Sequence, residues 1–234
     1  MEPGANVSKA IVIVGFGPGI STAVAKKFGA EGFSVALVAR NEERLAASVA
    51  ALKAAGIAAA FPTDAGDPDA IRAAIGKARA QLGPISVLHW NARGGSEAGD
   101  LLTADPAAVR NVFDVAIVGL LGAVQEALPD MRNTKEGAIL ITNGAFAETT
   151  PQMDEYAVSL KSMGVALANA AKYKLVGLLA QRLKGEGVYV GEVMITGTIQ
   201  GTPWDTGNSI DPAIVADKFW ELYQARSEVR ARVG

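Results

Sequence analysis

Residues 11–21 read "IVIVGFGPGIS": an apolar run, then Gly15, Gly17 and Gly19 alternating with other residues, then a helical pattern through "STAVAKKFGAEG". A short apolar run that ends in glycine reads as a buried strand, and the stretch after it as an amphipathic helix. Glycines at such a junction let the backbone turn tightly and approach a pyrophosphate, whose charge the helix N-terminus favours. Glycine-rich turns also serve only to pack a helix on a strand. The position at the start of a strand–helix–strand unit selects the nucleotide reading, and the lack of a following Gly-Lys-Ser/Thr excludes a P-loop.

The same alternation continues outward. "SVALVAR" is a strand followed by the helical "NEERLAASVAALKAAG". "IAAAFPTD" is followed by "DPDAIRAAIGKARAQLG", where Asp67 or Asp69 supplies the cap. "ISVLHWNA" precedes a long helix over about 105–132, and "GAILITNG" precedes a loop and a helix over about 160–184. "VYVGEVMI" is the last clear strand, before a helix in "DPAIVADKFWELYQAR". Strands that are apolar throughout and alternate with helices predict a parallel sheet covered on both faces. The expected fold is therefore α/β, a doubly wound parallel sheet in a three-layer αβα sandwich. No repeat or linker divides the chain, so residues 1–234 are expected to form a single domain.

Composition removes several function classes. The chain of 234 residues has no cysteine and one histidine, which excludes thiol nucleophiles, zinc–thiolate sites and multi-histidine metal sites. Its formal charge of −2, with scattered Lys and Arg, argues against a nucleic-acid partner. No run of about 18 apolar residues stands out for a membrane span, and "MEPGANVSKA" lacks the pattern of a secretory signal. A cytoplasmic protein is the expectation.

The second strand selects the cofactor. An NAD site needs a carboxylate on the ribose 2′-hydroxyl, roughly 20 residues beyond the glycines. Here "LVARNEERL" offers Ala39, Arg40 and Asn41 instead. An acid would repel a 2′-phosphate, whereas a guanidinium binds it, so NADP(H) is expected.

At this point the chain resembles the short-chain dehydrogenase/reductase family over nearly its whole length. "GFGPGIS" is similar to the family's Gly-xxx-Gly-x-Gly loop, with Ser21 in place of the last glycine; the cofactor residues are then Gly15, Phe16, Gly17, Pro18, Gly19 and Ile20. "PTDAGDP" carries Asp64 and Ala65, matching the segment that contacts adenine. "VLHWNARG" resembles the Asn-Asn-Ala-Gly turn through Asn91 and Ala92, with Arg93 where glycine is usual. "VMITGTIQGT" resembles the segment beside nicotinamide, with Thr196 for proline and Gly197 and Ile199 as contacts. The resemblance implies a Rossmann-type domain, an oxidoreductase acting on a small carbonyl, alcohol or enone, and a homodimer or homotetramer paired through its two long helices.

The catalytic half departs from that pattern. The family places Tyr-x-x-x-Lys on one helix, a serine at the preceding strand end and often an asparagine on the earlier long helix. "EYAVSLKSM" offers Tyr156 and Lys161, five apart rather than four, which sets them about 140° apart on a helix. Counting back without gaps from "LLAQRLKGEGVYV" puts the tyrosine slot at Val165 and the lysine slot at Asn169. The serine slot falls near Asn143 or Gly144 and the asparagine slot at Ala116. Candidate catalytic residues are thus Asn143, Asn169 and Tyr156, the last reaching in from a loop about eight residues longer than usual; Asn169, in the slot of the lysine that holds the ribose, is also implied as a cofactor contact.

His89 is read as a buried structural histidine, and Lys172 as a solvated charge. Arg93 is read as holding either an anionic substrate or the cofactor's phosphates. Trp204 and Trp220 line either a substrate region or an oligomer interface. Two functions remain open: an NADP(H)-dependent oxidoreductase with a rebuilt acid–base apparatus, and a non-catalytic NADP(H)-binding sensor or scaffold.

Overall fold

The computed structural model describes residues 9–52, 58–94, 96–134 and 136–234. The N-terminal stretch before Lys9 and the end of the second helical pattern lie outside them. The elements run β1 (Ala10–Val14), α1 (Ile20–Ala30), β2 (Ser34–Ala39), α2 (Glu42–Leu52), β3 (Ala58–Pro62), α3 (Pro68–Leu82) and β4 (Ile85–Trp90). Then come α4 (Pro106–Phe113), a π-helical turn (Asp114–Val118), α5 (Gly119–Thr134), β5 (Ala138–Gly144), α6 (Pro151–Ser159), α7 (Met163–Arg182), β6 (Tyr189–Ile195), α8 (Pro212–Ala225) and β7 (Arg230–Val233). One seven-stranded sheet of order β3-β2-β1-β4-β5-β6-β7 results, parallel throughout. This is the doubly wound sandwich expected from the alternation.

Two apolar layers hold it. Val12, Val14, Ile139 and Ile141 face α3, α5 and α7, while Ile11, Ile13, Val87 and Leu140 face α1, α2 and α8. Each strand alternates its side chains between two apolar faces, so all of β1 and β4 is buried. Asp67 rather than Asp69 caps α3, accepting from the amides of Asp69 and Ala70 at 3.0 Å each. Trp220 is a packing residue: its ring meets Phe28 edge-on at 5.1 Å between α1 and α8.

Three local expectations are revised. The segment carrying Tyr156 is the helix α6 rather than a loop, with Thr150 accepting from the Met153 amide as its cap and Pro151 in its first turn. A seventh strand, β7, follows α8 and pairs with β6; its arginine-rich "RARV" carries little apolar signal because it is an edge strand. The continuous helical segment Pro106–Thr134 is long and apolar enough to cross a membrane by length and composition, contrary to the sequence reading. Its buried residues Leu120, Ala123, Val124 and Ala127 belong to the core cluster shared with α3 and β4.

Candidate active site

The strand order reverses between β1 and β4, and ligands of such sheets bind in the crevice beyond the carboxyl ends there. The glycine loop is built for close approach. Gly15 has φ +81°, and a Cβ on it would come 2.3 Å from the Ala92 amide nitrogen, so only glycine fits. Asn91 ties the loop down, donating from Nδ2 to the Gly15 carbonyl at 3.1 Å. Ser21, fully buried, exchanges hydrogen bonds with the Gly17 amide and carbonyl at 2.9 Å each, closing the turn where the resemblance expects glycine.

A cleft of about 550 Å³ opens over this loop. Gly15 and Phe16 line it, with Ala39, Arg40, Asn41 and Arg44 from the end of β2 and the start of α2. Asp64, Ala65, Asn91, Ala92 and Arg93, from the segments after β3 and β4, line it as well. Asn41 caps α2 by accepting from the Arg44 amide at 2.8 Å, so Arg40 and Arg44 stand at a helix start aimed at the same space. Neither makes an ion pair among the described residues. Arg44 was not singled out from the sequence; its place one turn after Arg40 was the available signal.

Gly17, Pro18, Gly19, Ile20, Asn169, Gly197 and Ile199 do not line this cleft. The segment after β6 lies over the loop instead: Thr202 and Ile199 methyl groups come 3.0 and 3.2 Å from the position of a Cβ on Gly19. Further along, the Arg93 guanidinium stacks 4.0 Å from the Trp204 ring centroid, and both residues line the cleft. Trp204 therefore belongs to the ligand region rather than to a remote interface.

Beyond the cleft, the carboxyl end of β5 carries a second polar group. Asn143 is buried, and its Nδ2 donates to Glu192 Oε1 at 2.6 Å and to the Asn169 carbonyl at 3.0 Å. Its Oδ1 accepts from the Gly144 amide at 3.0 Å. Glu192, fully buried on β6, accepts from Arg230 Nε at 2.9 Å, and Arg230 donates onward to the Tyr173 carbonyl at 2.7 Å. Asn169 is also buried, its Nδ2 lying 2.8 Å from where Gly144 would carry a Cβ. Asn143, a catalytic candidate from its place near the serine slot, has its amide committed to three protein partners, because a buried carboxylate beside it must be satisfied.

Lys172 corrects the reading as a solvated charge. It is 5% exposed and donates from Nζ to the Thr142 carbonyl at 3.1 Å. Burial pushes its amine down to about 8, with Glu192 opposing and Arg93 adding to the drop. On the other face of β5 the Thr142 hydroxyl meets His89 Nε2 at 3.0 Å, and His89 packs on Phe219. Burial holds His89 near 3, so it stays neutral and structural, as expected. Glu192 went unnoticed in the sequence, although a lone acid inside "VYVGEVMI" was its signal.

Tyr156 and Lys161 do not form a couple. α6 ends at Ser159, Lys161 takes a left-handed φ of 47°, and α7 begins at Met163. Tyr156 is half exposed on α6, with its ring 5.8 Å from Phe146.

A glycine-walled cradle at the switch point is the architecture of a dinucleotide fold, and the sequence agrees: residues 9–203 match the model of the short chain dehydrogenases. The chain belongs to that family. A short chain dehydrogenase of Pseudocercospora fijiensis is 28% identical over 224 residues, 93% of this chain and 69% of its own length. The 3-oxoacyl-(acyl-carrier-protein) reductase FabG of Staphylococcus aureus is 27% identical over 191 residues, 80% of this chain and 74% of its own. A metagenomic short-chain oxidoreductase solved in complex with NADP superposes with a TM-score of 0.81 at 25% identity, covering 98% of each chain.

Proposed function

We propose that this family member binds NADP(H) and transfers hydride to or from a small carbonyl, alcohol or enone. The observation that carries the cofactor choice is the pair Arg40 and Arg44, unpaired among the described residues and facing the cleft where an NAD site would present an acid. The residues fit the group. Gly15 admits the close backbone approach, Arg40 and Arg44 suit a 2′-phosphate, and Asp64 and Asn91 border the space beside them. When bound, NADP(H) supplies the hydride chemistry, and the chain supplies orientation and protons. The resemblance in the metagenomic NADP complex supports the same reading.

The site is atypical on this reading, with Val165, Asn169, Asn143 and Ala116 in the four catalytic slots. A second reading, a non-catalytic NADP(H) sensor, is favoured by the buried and fully engaged state of Asn143. We place the protein in the cytoplasm as a homodimer or homotetramer. The feature that supports assembly is the exposure of the apolar residues Phe113 and Val118 on the α4–α5 segment and Leu167 and Leu178 on α7.

Calorimetry decides the cofactor. NADPH is expected to bind at least tenfold tighter than NADH, about 1.4 kcal/mol, and Arg40→Ala to erase most of that ratio. Equal affinities in the wild type overturn the cofactor assignment. A turnover screen over carbonyls and enones then separates enzyme from sensor.

A further inference from the structure

We propose that Lys172 is the proton donor of the reductive reaction, delivering its proton from the carboxyl end of β5; this rests on the oxidoreductase reading above. Three placements carry it. First, Lys172 lies three residues after Asn169 on α7, and i, i+3 positions share a helix face, so it points to the strand end where the catalytic group is needed. Second, the ammonium has three N–H donors and one protein acceptor among the described residues, the Thr142 carbonyl at 3.1 Å. Two N–H groups thus have no protein acceptor among the described residues, and a buried donor without a partner is costly unless water or a ligand meets it. Third, β4 and β5 run in register with Trp90 opposite Ile141, so the segments bearing Arg93 and Asn143 emerge side by side at the sheet's carboxyl edge. Lys172 therefore lies at the crevice end of the sheet rather than behind it.

The surroundings suit proton transfer near neutral pH. Burial is the main cause of the lowered amine, Glu192 on β6 works against it, and Arg93 beyond β4 works with it. Arg230 on β7 is neutralised by Glu192, and His89, across Thr142, is uncharged. An amine near 8 is protonated at pH 7 yet gives up its proton far more readily than a solvated lysine. NADPH, when bound, would supply the hydride to a carbonyl carbon, and the carbonyl π electrons would move to oxygen. That oxygen takes one proton from the Lys172 ammonium, leaving a neutral amine that is reprotonated by water.

The test is the pH profile of carbonyl reduction for wild type, Lys172→Met and Lys172→Arg, with NADPH affinity measured alongside. The expected wild-type rate falls above about pH 8. Both variants are expected to lose roughly 10²–10⁴-fold in kcat, the usual contribution of a general acid. They should keep NADPH affinity within a few-fold and lack the alkaline limb. Arginine preserves the charge but cannot release its proton, so Lys172→Arg controls for a Lys172→Met protein that folds poorly. A direct readout is the 15N-lysine spectrum of the protein without substrate: one amine missing in Lys172→Met should titrate near 8. Either variant retaining the wild-type rate and limb overturns the proposal, as does an amine titrating above 10. A wild type that binds NADPH but reduces no carbonyl ends the oxidoreductase reading together with this one.

Discussion

The two ends of the crevice handle charge in opposite ways. At the β2 end, Arg40 and Arg44 face a cleft with no carboxylate partner among the described residues. At the β5 end, Asn143, Glu192 and Arg230 are bonded to one another, and Glu192 has no exposed surface at all. Open cations await an anion from solution; a closed network spends its hydrogen bonds on holding β5, β6, β7 and α7 together. Within the second region Lys172 is the exception, a buried cation with donors to spare. The contrast separates a region kept for a ligand from a region that supports one reactive group.

Breaking the closed network should have the largest effect. Glu192→Ala takes one of two acceptors from both Arg230 and the Asn143 amide and removes a carboxylate that favours charged Lys172. Removing one partner of a fully buried pair costs about 3–5 kcal/mol. The Arg230 side chain is 33% exposed, so the loss should lie at the low end of that range, about 3 kcal/mol. Urea unfolding should register that loss, and a change under about 1 kcal/mol would mean the network is replaceable. NADPH affinity should fall far less than stability, because the cleft is built on other elements.

The next effect has the opposite sign. Lys172 titrates near 8 in the fold and near 10.5 when unfolded, so the unfolded chain holds the extra proton between those values. Stability therefore rises with pH across that window, and below about pH 8 the full penalty is present. Lys172→Met removes the penalty, and at pH 7 the variant should be more stable by up to roughly 3 kcal/mol, less the lost bond to Thr142. Unfolding at pH 7 and pH 10 checks both parts: the variant should gain at pH 7 and lose the rise toward alkaline pH. A stabilised variant that is catalytically poor is the expected trade at a strained functional position. If Lys172→Met is instead less stable at pH 7, the amine is well satisfied and the contrast between the regions weakens.

This contrast also explains what the sequence made legible. The cofactor end is local: strand, glycine loop, helix and Arg40 follow one another within about thirty residues, and each has its own periodicity or turn chemistry. Gly15 and Arg40 could therefore be found without coordinates, whereas Asp64 and Ala92 followed from the family resemblance, and Asn91 reaches Gly15 from 76 residues away. The β5 end is assembled across the chain, since Asn143 meets Asn169, 26 residues away, and Glu192, 49 away. No spacing rule links such positions. A lysine in "AAKYKL" looks like surface until packing turns it toward β5, and Glu192 hides in an apolar strand. β7 and α6 escaped notice for a related reason: an edge strand and a short capped helix carry weak apolar patterns.

The smallest expected effect lies at Lys161, and it tests the register of the whole β5 end. If Tyr156 were the acid and Lys161 its partner, Lys161→Ala would abolish turnover and shift the pH profile upward. The structure separates the two. Tyr156 sits inside α6, while Lys161 follows the helix cap at Leu160 in a left-handed conformation, so no common helix aligns them. Lys161 is exposed, and its contact with the fold is through its backbone: a Cβ on Gly99 would come 2.7 Å from the Lys161 carbonyl oxygen. Side-chain truncation should then change stability by no more than about 0.5 kcal/mol, the usual range for a surface site. Turnover should be unaltered. Lys161→Gly suits the positive φ and should be neutral or stabilising. Asn169→Ala differs, because its amide lies beside Gly144 at the strand end, and NADPH affinity should drop measurably more than in either Lys161 variant. A Lys161→Ala protein that folds normally but is inactive, alongside an Asn169→Ala protein with intact affinity, would move the catalytic register to α6 and leave Lys172 a buried structural charge.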